Sequence, residues 1–110
     1  MQNQTKKVVQ ATALNFEDLK QSLPLLLVDF SANWCSACKM MEPILDKVAG
    51  DFSGVATIAK VDVEENASLA SQYSIRTIPA LLLFKNGELV KRYTGLTPKS
   101  VLTHQISSLM

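Results

Sequence analysis

Leu25-Leu26-Leu27-Val28-Asp29-Phe30 is an apolar run broken only by Asp29. A strand with one wet face alternates apolar and polar residues; a run without alternation is the pattern of a strand covered on both faces. Such a strand needs a layer above it and another below. Just beyond lies Trp34-Cys35-Ser36-Ala37-Cys38-Lys39, which holds both cysteines of the chain. Met40, Met41, Ile44, Leu45 and Val48 then recur at helical spacing. Pro43 falls inside that helix, where it removes one backbone hydrogen bond and is expected to kink the axis. Two thiols at this spacing on the first turn of a helix can close a small disulfide ring and reopen it.

The remaining segments fit around that core. Val8 and Val9 suggest a short first strand, and Asn15 is placed to cap a helix carrying Phe16 and Leu19. Residues 55–63 read as a buried strand, and residues 64–73 as a helix with Leu69 and Ala70 inward. Ile78-Pro79 opens a third apolar run, Ala80-Leu81-Leu82-Leu83-Phe84. Asn86-Gly87 joins it to Glu88–Tyr93, a strong hairpin signal. Thr97-Pro98 reads as a cap and a first-turn proline for a last helix bearing Val101, Leu102, Ile106 and Leu109. The order is β-α-β-α-β-α-β-β-α. It predicts an α/β fold with a mixed central sheet, parallel in its first part and antiparallel at its end.

At 110 residues the expectation is one domain, 1–110. A net charge of +1, with both signs interspersed, gives no electrostatic case for nucleic acid or an anionic membrane. No apolar stretch approaches the roughly 20 residues of a membrane span. Met1-Gln2-Asn3-Gln4-Thr5-Lys6-Lys7 has charge with no apolar segment behind it, so no secretory signal is expected. The chain is therefore expected to be cytoplasmic and monomeric, and paired cysteines in that compartment are more often catalytic or metal-binding than structural. Zinc needs four ligands, and with two cysteines and one distant histidine, His104, only a site shared between two chains could supply them. His104 reads as a solvated helix position, and Met40, Met41 and Met110 as core or terminus; none of them marks a cofactor site.

The chain resembles the thioredoxin family. The match is carried by Val28-Asp29-Phe30, Trp34-Cys35-x-x-Cys38-Lys39, Pro43-Ile44-Leu45, Ala59-Lys60-Val61-Asp62, Ile75-Arg76-Thr77-Ile78-Pro79, Phe84-Lys85-Asn86-Gly87 and Gly95. These occur in the family's order and cover nearly the whole chain from about Val8. The resemblance implies a thioredoxin fold, with about five strands flanked by about four helices. It also implies a protein thiol–disulfide oxidoreductase that binds no cofactor itself, acts on disulfide-containing proteins, and is re-reduced by an NADPH-dependent flavoprotein, thioredoxin reductase.

The resemblance further implies residue roles. Cys35 is the nucleophile. At a helix start, unpaired N–H groups and the macrodipole favour its thiolate. The dipole supplies about 0.3–1 kcal/mol, at most about 2, and one pKa unit is about 1.4 kcal/mol, so direct N–H contacts must add to it. Cys38, one turn further in, is the shielded resolving thiol. Asp29 becomes a buried carboxylate that takes the Cys38 proton through water, and Lys60 tempers its acidity. The plainer explanations are a solvent-facing strand-end carboxylate and an edge-strand lysine. A cis Ile78-Pro79 bond would leave the Ile78 backbone free to pair with an extended substrate. Trp34, Val63, Thr77, Ile78, Pro79, Gly95 and Leu96 would form the apolar docking surface, although ordinary core packing accounts for Val63 and Leu96 equally well by composition.

Two positions depart from the family. Ser36-Ala37 stands where Gly-Pro is usual; Ala37 restores an N–H that proline lacks, and that N–H and the Ser36 hydroxyl are expected to point at Cys35. A more acidic Cys35 and a less reducing protein would follow. Ser31 stands where a tryptophan is common, which weakens packing behind the active-site turn. Among other functions, an oxidase or isomerase is disfavoured, because those relatives often carry a histidine between the cysteines. A binding or chaperone module on the same fold is the alternative of a different class; it would survive loss of both cysteines.

Overall fold

The computed structural model describes residues 8–110. The N-terminal stretch 1–7, read above for the absence of a secretory signal, lies outside them. The nine elements follow the expected order: β1 (Val8–Gln10), α1 (Phe16–Ser22), β2 (Leu25–Ser31), α2 (Ser36–Asp51), β3 (Thr57–Asp62), α3 (Ala67–Gln72), β4 (Ala80–Lys85), β5 (Glu88–Thr94) and α4 (Lys99–Ser108). They form one five-stranded sheet in the order β1-β3-β2-β4-β5. The β1–β3 and β2–β3 pairs are parallel, and β2–β4 and β4–β5 are antiparallel.

Every residue of β2 is buried, which is why its sequence does not alternate. Side chains still point to opposite faces in turn. Leu25 and Leu27, with Ile58, Leu81 and Leu83, meet Met41, Leu45 and Val48 of α2 and Leu102 and Ile106 of α4. Leu26, Val28 and Phe30, with Ala59, Val61, Leu82 and Phe84, meet Phe16 of α1 and Leu69 and Ala70 of α3. Burying each large side chain contributes about 1.5–3 kcal/mol. On the second face, Phe16 and Tyr73 each pack edge-on against Phe84, at 5.7 and 5.8 Å. Position 29 shares the pleat of Leu25 and Leu27, so Asp29 faces α2; Lys60 shares that of Ile58 and faces the same way.

Several local expectations are corrected. Asn15 precedes α1 but makes no side-chain cap. Its Oδ1 accepts the Thr12 N–H at 2.7 Å and its Nδ2 donates to the Gln10 carbonyl, fastening the turn after β1. Thr97 does not cap α4 either; its hydroxyl donates to the Gly95 carbonyl, and Pro98 is the extended residue before the helix. The helix expected from residue 64 starts at Ala67, because Asp62 Oδ1 accepts the Glu64 and Glu65 N–H groups and holds them in a turn. The strand expected from residue 55 starts at Thr57, because Val55 and Ala56 donate back to the Phe52 carbonyl. Met40 and Val101 fall off the inner stripes of α2 and α4 and are 58% and 41% exposed. Pro43 lies inside α2 without ending it. His104 is exposed, as expected.

Candidate active site

The site forms where β2 ends and α2 begins. Cys35 is the residue before the helix, with extended backbone angles (φ −92°, ψ 112°). A residue there has its side chain aimed at the unpaired N–H groups of the first turn. Its Sγ accepts the N–H of Cys38, three residues on, at 3.2 Å. In this disulfide-bonded form neither the Ala37 N–H nor the Ser36 hydroxyl donates to Cys35; the expectation for Ser36-Ala37 concerns the thiolate of the reduced form. A cap side chain reaches the second or third helical N–H, and here the third takes the contact. Ser36 is exposed and Ala37 half-buried on the turn.

Cys35 and Cys38 are disulfide-bonded, with Cα atoms 5.2 Å apart. Both are largely buried, at 8% and 2% exposed. The sulfurs pack with Ala32, and Ala37, Val63 and Ile78 close over them. The Ile78-Pro79 peptide is cis. The Ile78 carbonyl oxygen lies 3.9 Å from Cys35 Sγ, and the Pro79 carbonyl accepts the Gly95 N–H at 2.7 Å. Three distant segments, around residues 35, 78 and 95, thus meet at one disulfide.

Around it lies an open apolar rim. Trp34 is 67% exposed, with its indole N–H donating to Glu64 Oε2 at 2.8 Å. Leu96 is 48% exposed, which separates it from the core. Val63 and Ile78 are half-buried and Thr77 is exposed. The Thr97 N–H donates to Met41 Sδ at 3.3 Å, tying the loop after Gly95 to the helix of the cysteines.

Asp29 is fully buried, and neither of its oxygens has a hydrogen-bond partner among the described residues. Burial pushes its carboxyl up to about 7; the Lys60 ammonium partly offsets this, and the Glu42 carboxylate adds to it. The solvent-facing reading of Asp29 is therefore excluded. Lys60 is the register partner of Asp29 on β3, an inner strand, so the edge-strand reading fails too. Its Nζ pairs with Glu42 Oε2 of α2 at 2.6 Å. Sequence reasoning missed Glu42. The available signal was its spacing: Glu42 follows Cys38 by four residues, one helical turn along the same stripe. Among the described residues no cluster of histidine, cysteine and acidic side chains could hold a metal.

The thioredoxin family profile matches residues 7–108. The chain is 46% identical to a thioredoxin of Staphylococcus saprophyticus over 99 residues, covering 90% of this chain and 94% of that protein. It is 41% identical to thioredoxin 2 of Chlorobaculum tepidum over 101 residues, covering 91% and 93%. Among solved structures, a mutant thioredoxin from Halobacterium salinarum superposes with a TM-score of 0.88 at 33% identity, covering 99% of this chain and 96% of that one.

Proposed function

Because the chain belongs to the thioredoxin family, we propose that it reduces protein disulfides in the cytoplasm, with Cys35 attacking and Cys38 resolving. The family and the Cys35–Cys38 disulfide make it a thiol–disulfide oxidoreductase. The Cys35 thiolate attacks one sulfur of a substrate disulfide; a Cys35–substrate bond forms and the other substrate sulfur leaves as a thiolate. Cys38 then gives its proton to the Asp29 carboxylate, and its thiolate attacks Cys35 Sγ. The mixed disulfide breaks, the Cys35–Cys38 bond forms, and two electrons have passed to the substrate. A carboxyl with a pKa of about 7 is close to half ionised at neutral pH, which suits it to this transfer.

The observation that carries this reading is Cys35 Sγ at the helix mouth, bonded to Cys38 and facing the Ile78 carbonyl. In this reading the Ile78 backbone pairs with an extended substrate segment, which rests on Trp34, Val63, Thr77, Ile78, Pro79, Gly95 and Leu96; the nearness of the Ile78 carbonyl to Cys35 Sγ supports it. The partners are disulfide-containing proteins and, for re-reduction, an NADPH-dependent flavoprotein reductase of the kind that serves the family. A disulfide that must open in every cycle suits a reducing compartment. The site is complete within one chain, which supports a monomer. No helix among the described residues is long and apolar enough to cross a membrane.

Insulin reduction with NADPH and a thioredoxin reductase tests the reading. Turnover is expected, to be abolished by Cys35→Ser; Cys38→Ser should instead accumulate a mixed disulfide visible by mass. A folded protein with no turnover would point to a binding or chaperone module.

A further inference from the structure

We propose that Glu42 is a positioning residue for the second half of the reaction: it holds the Lys60 ammonium away from Asp29 and so keeps that buried carboxyl able to take a proton at neutral pH. The proposal rests on Asp29 serving as the base for Cys38.

The geometry comes from three elements meeting on one face of the sheet. Asp29 and Lys60 are register partners on adjacent parallel strands, and both face α2. Neighbouring strands lie about 4.8 Å apart, so a lysine side chain can reach a carboxylate beside it. Here it does not. Lys60 Nζ sits 2.6 Å from Glu42 Oε2, a charge-assisted contact, while both Asp29 oxygens lack a hydrogen-bond partner among the described residues. The nearest cation is thus engaged by a rival carboxylate that is half exposed, at 49%. A cavity of about 90 Å3 lined by Val8, Glu42, Leu45, Asp46 and Lys60 leaves the ammonium room at the rim. The helix that presents the thiols on its first turn presents this rival carboxylate one turn after Cys38.

The groups around Asp29 leave few other causes. From β3 comes Lys60, and from α2 come Glu42 and, on the cavity wall, Asp46. Across β2 the register partner is Leu81, with Tyr93 beyond it on β5; Gln10 of β1 lies beyond Lys60. None of these three is charged at neutral pH, and the cysteines carry no charge in the disulfide. Losing Glu42 removes a negative charge and frees Lys60 to turn toward Asp29. Both effects favour the ionised carboxyl.

NMR titration of the Asp29 side-chain carbon in the oxidised protein tests this in four forms: parent, Glu42→Gln, Lys60→Met and the double variant. Glu42→Gln is expected to lower the Asp29 midpoint by roughly 1 pH unit. In the Lys60→Met background the same change should have less than half that effect. An unmoved or raised midpoint in Glu42→Gln overturns the proposal. Equal shifts in both backgrounds also overturn it, because Glu42 would then act by its own charge alone. The pH profile of mixed-disulfide resolution separates this from the reading beneath it. A profile that moves to lower pH with the Asp29 midpoint supports both. A midpoint that moves under a fixed profile sinks Asp29 as the base, and the role of Glu42 in the reaction with it.

Discussion

Asp29 occupies a position where ionisation is costly, and the cost depends on pH. Its carboxyl is lifted by burial from the ordinary 3.8 to about 7. Below the ordinary value both folded and unfolded chains hold the proton, and folding carries no penalty. As pH rises toward 7 the unfolded chain releases that proton more readily, so stability is lost across this window and stays low above it. At 1.36 kcal/mol per pKa unit the gap amounts to about 4 kcal/mol. Asp29→Asn cannot ionise. In urea unfolding of the oxidised protein, its stability relative to the parent is expected to grow by about 4 kcal/mol between pH 4 and pH 9. A difference that stays flat with pH would show that the carboxyl is not held protonated by burial. The same substitution should slow mixed-disulfide resolution roughly 100-fold at pH 7, the low end of what a positioned base contributes, as stopped-flow mixing would measure.

At the scale of elements, the β4–β5 hairpin shows a two-residue signal fixing the pairs next to the turn, Lys85 with Glu88 and Phe84 with Leu89, before a bulge between Leu83 and Phe84 shifts the register beyond them. Asn86 and Gly87 both take positive φ, 50° and 85°, as a turn matched to the twist of its strands requires. A Cβ on Gly87 would meet nothing closer than 3.7 Å, so the cost of Gly87→Ala is conformational. Thermal or urea unfolding should show a loss of about 1–2 kcal/mol with the active-site chemistry unchanged. The hairpin, the order of elements along the chain and the burial of the sheet on both faces were legible in the sequence because each rests on a period or a turn residue that packing does not alter. What was not legible lies where a polar side chain serves its neighbours instead of its helix. Asn15, Asp62 and Thr97 bond to nearby backbone; Asn15 leaves the start of α1 where it was expected, while Asp62 and Thr97 move a helix start by three residues and by one. In the site, Cys35, Cys38, Asp29 and Lys60 stand out by type against their surroundings. Glu42 does not, because a glutamate on an amphipathic helix reads as an ordinary solvated position until the fold brings Lys60 beneath it.

For the whole molecule, the sheet is a fixed platform on whose rim residues 34, 63, 77–79 and 95–96 converge, and substrate recognition is expected to reside there. Leu96 is half exposed beside Gly95, and burying a leucine contributes about 1.5–3 kcal/mol. Leu96→Asp should therefore raise the KM for a folded protein disulfide by roughly ten-fold or more, since 1.4 kcal/mol is one decade. The change for a small aromatic disulfide, which covers little of the rim, should be far smaller; equal losses for both would move recognition elsewhere. Position 31 bears on how such experiments are read. Ser31 is buried at 2%, and Trp34 is the chain's sole tryptophan. All indole emission therefore arises next door to the sulfur that changes oxidation state. The protein carries its own optical gauge, free of a second indole in the background, and each half-turnover is expected to register in the emission of the unlabelled chain.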